Sequence, residues 1–214
     1  MDTMIPIDTL GVFFAASLVL GLAPGPDNIF VLTQSALRGA LAGLIVTLGL
    51  STGLVVHTTA VALGVAAIFQ ASALAFTMLK LIGAAYLAYL AWHAFRASAV
   101  GMSNDGKTDF GSITNWHLYR RGIIMNVTNP KVSIFFLAFL PQFADPARGS
   151  LSLQMMLLGG VFIVATLLVF GGVALIAGRL GEWLKHSDKA QRLINRIAGT
   201  VFILLALKLA SAER

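Results

Sequence analysis

The chain has 214 residues, 57% of them hydrophobic and only 11% charged, with a net charge of +6 and no cysteine. This balance, with a mean hydropathy of +0.85, excludes an ordinary soluble domain and points to a membrane protein. The lack of cysteine excludes disulfides, thiol chemistry and thiolate-held metal. The basic residues lie in short connectors, not in a stripe interleaved with aromatics, which excludes nucleic acid as a partner.

The N-terminus carries Asp2 and Asp8 and has neither a positive leader region nor a small-residue cleavage signal, so the first apolar segment is expected to stay in the protein. Several apolar stretches exceed the roughly 18 to 20 residues that cross a bilayer core. They lack the alternation of barrel strands, and lipid offers no partner to an unpaired amide, so helices must carry them. Six transmembrane helices are expected, over residues 7–36, 41–69, 74–95, 123–143, 151–177 and 193–210. Asn195 and Arg196 shorten the apolar core of the last, so a five-span alternative stands beside this reading.

Residues 97–118 are polar, with Asp105, Lys107 and Asp109 among glycines and serines. They read as a cytoplasmic linker between two three-helix halves, 1–96 and 119–214. Arg38, Arg96, Lys107, Arg120, Arg121, Arg179, Lys185, Lys189, Arg192 and Arg196 fall on one side; Lys80, Arg148, Lys208 and Arg214 fall on the other. The richer side is expected in the cytoplasm, which leaves both termini outside. Lys80 and Lys208 lie near span ends, where long stems reach the interface. Tyr86, Tyr89 and Trp92 approach the cytoplasmic end of the third span and read as interface anchors. Gly39 with Gly43, and Gly49 with Gly53, give two spacings that allow close helix approach, most simply for packing.

Two spans carry a break. "GLAPGPDNIF" places Pro26 before Asp27, and "NVTNPKVSIFF" places Pro130 before Lys131, about half the chain apart. Proline starts a helix better than it continues one, so each can open a new half-helix capped by Gly25 or Asn129. Three spans plus three, each half opening on a broken helix, predict an inverted repeat, because an odd number of crossings turns the second copy over. The expected fold is therefore an all-α integral membrane protein, a 3+3 inverted repeat with broken first and fourth helices. Unwound backbone at that depth is tolerated only where it lines a cavity or is buried in protein, so the breaks predict a central site.

A charge inside a membrane costs at least ~2.5 to 3.5 kcal/mol on insertion scales and by default marks function. Asp27 and Lys131 either form an ion pair that locks the halves together or bind the two ends of a zwitterion such as an amino acid. Asn28, Gln34, Asn126, Thr128 and Asn129 flank the breaks and either contact substrate or cap helix ends. His57, in mid-span, either relays protons or is a neutral histidine bonded to a neighbouring carbonyl or hydroxyl.

The stretches "APGPDNIFVLTQSALRGALAGLIVTLG" and "NVTNPKVSIFFLAFLPQF" resemble the LysE/RhtB family of bacterial amino-acid exporters, and the layout extends the likeness over essentially the whole chain. The resemblance implies a secondary transporter of the inner membrane that expels threonine, homoserine, leucine, lysine or related metabolites by proton exchange. It implies that Pro24, Gly25, Pro26, Asp27, Asn129, Pro130 and Lys131 belong to the transport path. One departure is Asp27, where many members carry asparagine.

The expected function is thus export of small amino acids by proton antiport, with protonation of Asp27 alternating with substrate binding. The expected partners are the bilayer, the amino acid and protons; a homo-oligomer is left open, and no cofactor or bound metal is expected. A cation or metal exporter is the alternative, weakened by only four histidines and no cysteine. An enzyme is not expected, since the spans offer neither paired carboxylates nor a nucleophile with its base. A structural subunit without transport activity would leave two charged breaks unexplained.

Overall fold

The computed structural model describes residues 4–23, 25–71, 73–96, 114–186 and 188–211. Pro24, the chain ends and residues 97–113, which hold most of the expected linker, lie outside the described residues. What is described is helical, with no strand. The helices are α1 (Ile7–Leu22), α2 (Pro26–Arg38), α3 (Ala40–Ala71), α4 (Ala73–Arg96), α5 (Asn115–Val127), α6 (Pro130–Ile134), α7 (Leu151–His186) and α8 (Asp188–Ser211). A π-helical turn, Phe135–Phe139, and a 3-10 turn, Leu140–Phe143, prolong α6.

Two stretches, Ala40–Gly64 in α3 and Leu151–Ala177 in α7, are long and apolar enough to cross a membrane singly. Two more pass only as bent pairs: α1 with α2 at 62°, and α5 with the Pro130–Phe143 segment at 50°. The bends follow from proline. Ala23 and Gly25 each precede a proline and are extended (ψ 127° and 174°), as is Asn129 (ψ 109°) before Pro130. Pro26 and Pro130 then each take the first turn of the next helix, where the missing amide is not needed.

Several expected boundaries move. α5 begins at Asn115, ahead of the expected start at 123 and inside the expected linker, because the Thr114 hydroxyl accepts the His117 amide and caps it. The helix α7 runs on to His186, past its apolar span Leu151–Ala177, which coincides with the expected 151–177, and α8 begins at Asp188, ahead of the expected 193. Gly39 is not part of a packing pair with Gly43. It ends α2 with φ 87°, a conformation that favours glycine.

Close approaches fix the helix directions. Gly43 lies against Ser35 and Ala174, and Gly159 against Thr58, so α3 runs antiparallel to both α2 and α7. Gly49 lies against Gly122 and Gly53 against Asn126, so α3 and α5 run the same way. The first broken helix therefore runs opposite to the second, and Arg38 shares one end of the molecule with Arg120 and Arg121. α4, which packs on α8, returns from the end where α3 finishes and brings Arg96 to that same end.

Two apolar cores result. Val31, Ala42, Val46, Leu50, Leu118, Phe170 and Ala174 form one, toward the arginine end. The other contains Phe13, Phe135, Phe136, Phe139, Phe143 and Phe162. Along α3 the changeover falls between Leu50 and Leu54, beside Gly53, near the middle of the Ala40–Gly64 stretch. The two breaks meet at that level.

Candidate transport site

Four half-helix ends converge at the breaks, and each half of the chain holds the charge of the other. Lys131, at the start of α6, sends its ammonium to α1, where Nζ donates to the carbonyls of Ala23 at 3.1 Å and Leu20 at 3.4 Å. These carbonyls are the unpaired, negative end of a helix that a proline has cut short. Asp27 lies in the first turn of α2, at the positive end, and its Oδ2 accepts from Asn126 Nδ2 at 3.3 Å. Asn126 belongs to the last turn of α5.

Asp27 and Lys131 are close enough to interact electrostatically but form no direct ion pair. The pair that would lock the halves is thus replaced by two crossed contacts. The ammonium finds clustered carbonyls at a helix end, and one oxygen of the carboxylate finds an amide.

Burial at this level is deep. Asp27 is 3% exposed, Asn126 2% and Asn129 4%. Several polar atoms there have no hydrogen-bond partner: Asp27 Oδ1, Asn126 Oδ1, Asn129 Nδ2 and Asn28 Oδ1. Asn129 Nδ2 faces the Asp27 carboxylate within electrostatic reach but outside hydrogen-bond geometry. Each such orphan costs roughly 1 to 3 kcal/mol, so the arrangement is unusual unless something polar visits it.

The remaining expected residues divide. Asn129 caps α6, its Oδ1 accepting the Lys131 amide at 3.0 Å. Asn28 donates to the carbonyls of Gly21 at 2.8 Å and Ala23 at 3.2 Å, closing the end of α1 across the break. Thr128 caps α5 through the Ile124 carbonyl. Gln34 is buried two turns along α2, its Oε1 unpartnered and away from the break. His57 Nε2 lies 3.2 Å from the Asn126 carbonyl oxygen, within electrostatic reach of Asp27, and its ring packs on Phe136. Gly25 caps α2, and a Cβ there would lie 3.0 Å from Lys131 Nζ; glycine is what lets the ammonium come so near the backbone.

A cavity of about 340 Å³ opens beside the lysine, lined by Ala23, Leu90, His93, Ala94, Arg96, Lys131, Asn195 and Phe202. Asp27 is not among the described residues of its wall. His93, Arg96 and Asn195 were not singled out as site residues from sequence. Asn195 had one signal, an amide within an apolar segment, and it is buried.

A profile of LysE type translocators matches residues 18–213. The chain belongs to that family. The translocator is 36% identical over 205 residues to a homoserine/homoserine lactone efflux protein of Salmonella typhimurium, covering 94% of this chain and 95% of the relative. A Salmonella typhi protein of the same description is 35% identical over 205 residues, with the same coverage. An uncharacterized membrane protein of Vibrio cholerae is 31% identical over 201 residues, covering 94% of this chain and 96% of the relative. No solved structure matches the translocator. It is therefore a membrane protein of a transporter family.

Proposed function

We propose that the protein exports small amino acids, homoserine-like in size and polarity, across the cytoplasmic membrane by proton antiport, with the solute held where the two broken helices meet. The observation that carries this reading is the crossed pair of contacts, Lys131 on the α1 carbonyls and Asn126 on Asp27, set among buried polar atoms that lack partners. A zwitterion supplies what is missing: an ammonium for Asp27 Oδ1 and the asparagine oxygens, and a carboxylate for Lys131.

The proposed architecture is six spans as a 3+3 inverted repeat, halves 1–96 and 119–214. The opposed directions of the two broken helices support it. The gathering of Arg38, Arg96, Arg120 and Arg121 at one end supports a cytoplasmic assignment for that end and outward termini. Asp27 is the proposed coupling group, taking a proton from outside as the solute leaves. One proton moving inward contributes about 2.3 kcal/mol per 100 mV of potential, enough to drive useful accumulation. His57, joined to the same level through the Asn126 carbonyl, is the proposed route to it. Efflux of labelled homoserine and a panel of short amino acids from loaded cells tests the proposal, with and without a proton gradient. Asp27→Asn is expected to abolish the response to the gradient, and Lys131→Gln to cut efflux more than tenfold. Parental efflux from both variants, or no amino acid moved by the parent, would overturn it.

A further inference from the structure

The cavity beside Lys131 is graded. His93 and Arg96 are exposed at its mouth; Leu90 and Ala94 are half-buried; Asn195, Phe202 and Ala23 are buried at its inner end, beside the half-buried Lys131. Among the described residues of the wall, every charged or titratable one is a base. Its mouth lies at the arginine-rich end. Its volume is at the lower limit of the roughly 300 to 1,000 Å³ of small-molecule sites, which suits a solute of a few carbons.

We propose that this cavity is a loading site for the carboxylate end of the solute: Arg96 and His93 draw the carboxylate in, Asn195 and Phe202 flank its path, and Lys131 receives it at the break. The proposal rests on the exporter reading and names its substrate class as short carboxylates that enter carboxylate first. Three placements support it. Arg96 is held over the Trp92 ring, 3.9 Å from its centroid, which fixes the guanidinium at the mouth without neutralising it. The His93 ring is steadied by Tyr89, with centroids 4.3 Å apart. Lys131 at the far end donates only to backbone carbonyls, so an anion reaching it displaces no bound carboxylate. A low-dielectric passage with basic groups at both ends concentrates anions along its length. Asp27 lies outside this wall, so the ammonium end of the solute meets its partner only after the carboxylate has reached the lysine.

The test uses inside-out vesicles, in which the arginine end faces the medium. Uptake is followed with labelled homoserine, or with whichever short amino acid the parent moves best. Two competitors are compared: γ-hydroxybutyrate, which keeps the carboxylate and lacks the amine, and homoserinol, which keeps the amine and lacks the carboxylate. In the parent, γ-hydroxybutyrate is expected to compete and homoserinol not. The doubly substituted His93→Gln, Arg96→Gln protein is expected to raise KM about tenfold, the weight of one charge-assisted hydrogen bond, to leave the maximal rate within about twofold, and to lose competition by γ-hydroxybutyrate. Arg96→Lys, which keeps the charge, is expected to restore most of the affinity. Equal competition by homoserinol, or an unchanged KM in the double variant, would overturn the loading site while leaving export intact. A parent that takes up no amino acid would remove the exporter reading and this proposal with it.

Discussion

Asn126 donates its side-chain amide to Asp27 at 3.3 Å across 99 positions of the chain. The contact joins the last turn of α5 to the first turn of α2, so it ties the two halves at the level where both helices break. Asn126→Leu keeps the volume and removes the donor. The carboxylate then has no hydrogen-bond donor at all, at a cost of about 1.5 to 3 kcal/mol for a bond to a charged group. Efflux is expected to fall at least tenfold in intact cells, at unchanged protein levels in the membrane. Parental efflux from Asn126→Leu would show that Asp27 works without this amide.

Gly25 controls the other crossed contact. A methyl there meets Lys131 Nζ at 3.0 Å, a distance the flexible ammonium can relieve by a small shift. Gly25→Ala is therefore expected to lower efflux only about twofold. Gly25→Val occupies the ammonium's place and is expected to approach the effect of Lys131→Gln. Combining Gly25→Val with Lys131→Gln is expected to add little, since both act on one contact, and initial efflux rates of the four proteins form the cycle that measures it.

The α3–α5 contact is a matter of missing side chains. A Cβ at Gly122 would lie 2.6 Å from the Val46 carbonyl oxygen, and one at Gly53 2.7 Å from Asn126 Cβ. Backbone cannot swing aside as a side-chain tip can. Gly122→Val is expected to destabilise by about 1 to 3 kcal/mol through overpacking, seen as a lower unfolding temperature in detergent. Gly53→Ala is expected to push Asn126 off Asp27 and reduce efflux as Asn126→Leu does. Gly160→Ala, with nothing within 4 Å of the new methyl, is the control that leaves both stability and transport unchanged.

Much of the break was legible because proline chemistry is local. Pro26 and Pro130 open helices, and Gly25 and Asn129 stand at their caps, wherever the rest of the chain lies. Partner choice was not legible. Opposite charges half a chain apart suggest a pair, but the ammonium turns to the α1 carbonyls, which become acceptors only because Pro24 follows Ala23. Asn28 was open between substrate and cap; its Nδ2 bonds the carbonyls of Gly21 and Ala23, while its Oδ1 stays unpartnered. The basic cavity was hidden for a different reason. Arg96 counts as a loop charge and His93 as a span-end residue until α4 is packed on α8, and the apolar period of these helices says nothing about which faces meet. The same limit misplaced Gly39, whose spacing from Gly43 suggested packing although its backbone ends a helix.

The cavity opens at the arginine end, whereas the opposite side of the break is closed by aromatic packing. Phe13, Phe135, Phe136 and Phe139 are almost fully buried there, and Phe13 meets the Phe143 ring edge-on with centroids 5.0 Å apart. Among the described residues, this cavity gives access to the break from the arginine end. The natural absence of cysteine makes this directly measurable with single introduced thiols. A thiol at Ala94→Cys, in the cavity wall, is expected to react with a membrane-impermeant maleimide in inside-out vesicles and to be protected in intact cells. Ser17→Cys, buried on α1, is expected to resist the reagent from both sides. Truncating the plug with Phe139→Ala removes a ring that touches Phe135 and Phe143. Beyond a packing loss of about 3 to 5 kcal/mol, it is expected to let the reagent reach Ser17→Cys from outside the cell. Labelling of Ala94→Cys in intact cells would place the arginine end outside and reverse the direction proposed for transport.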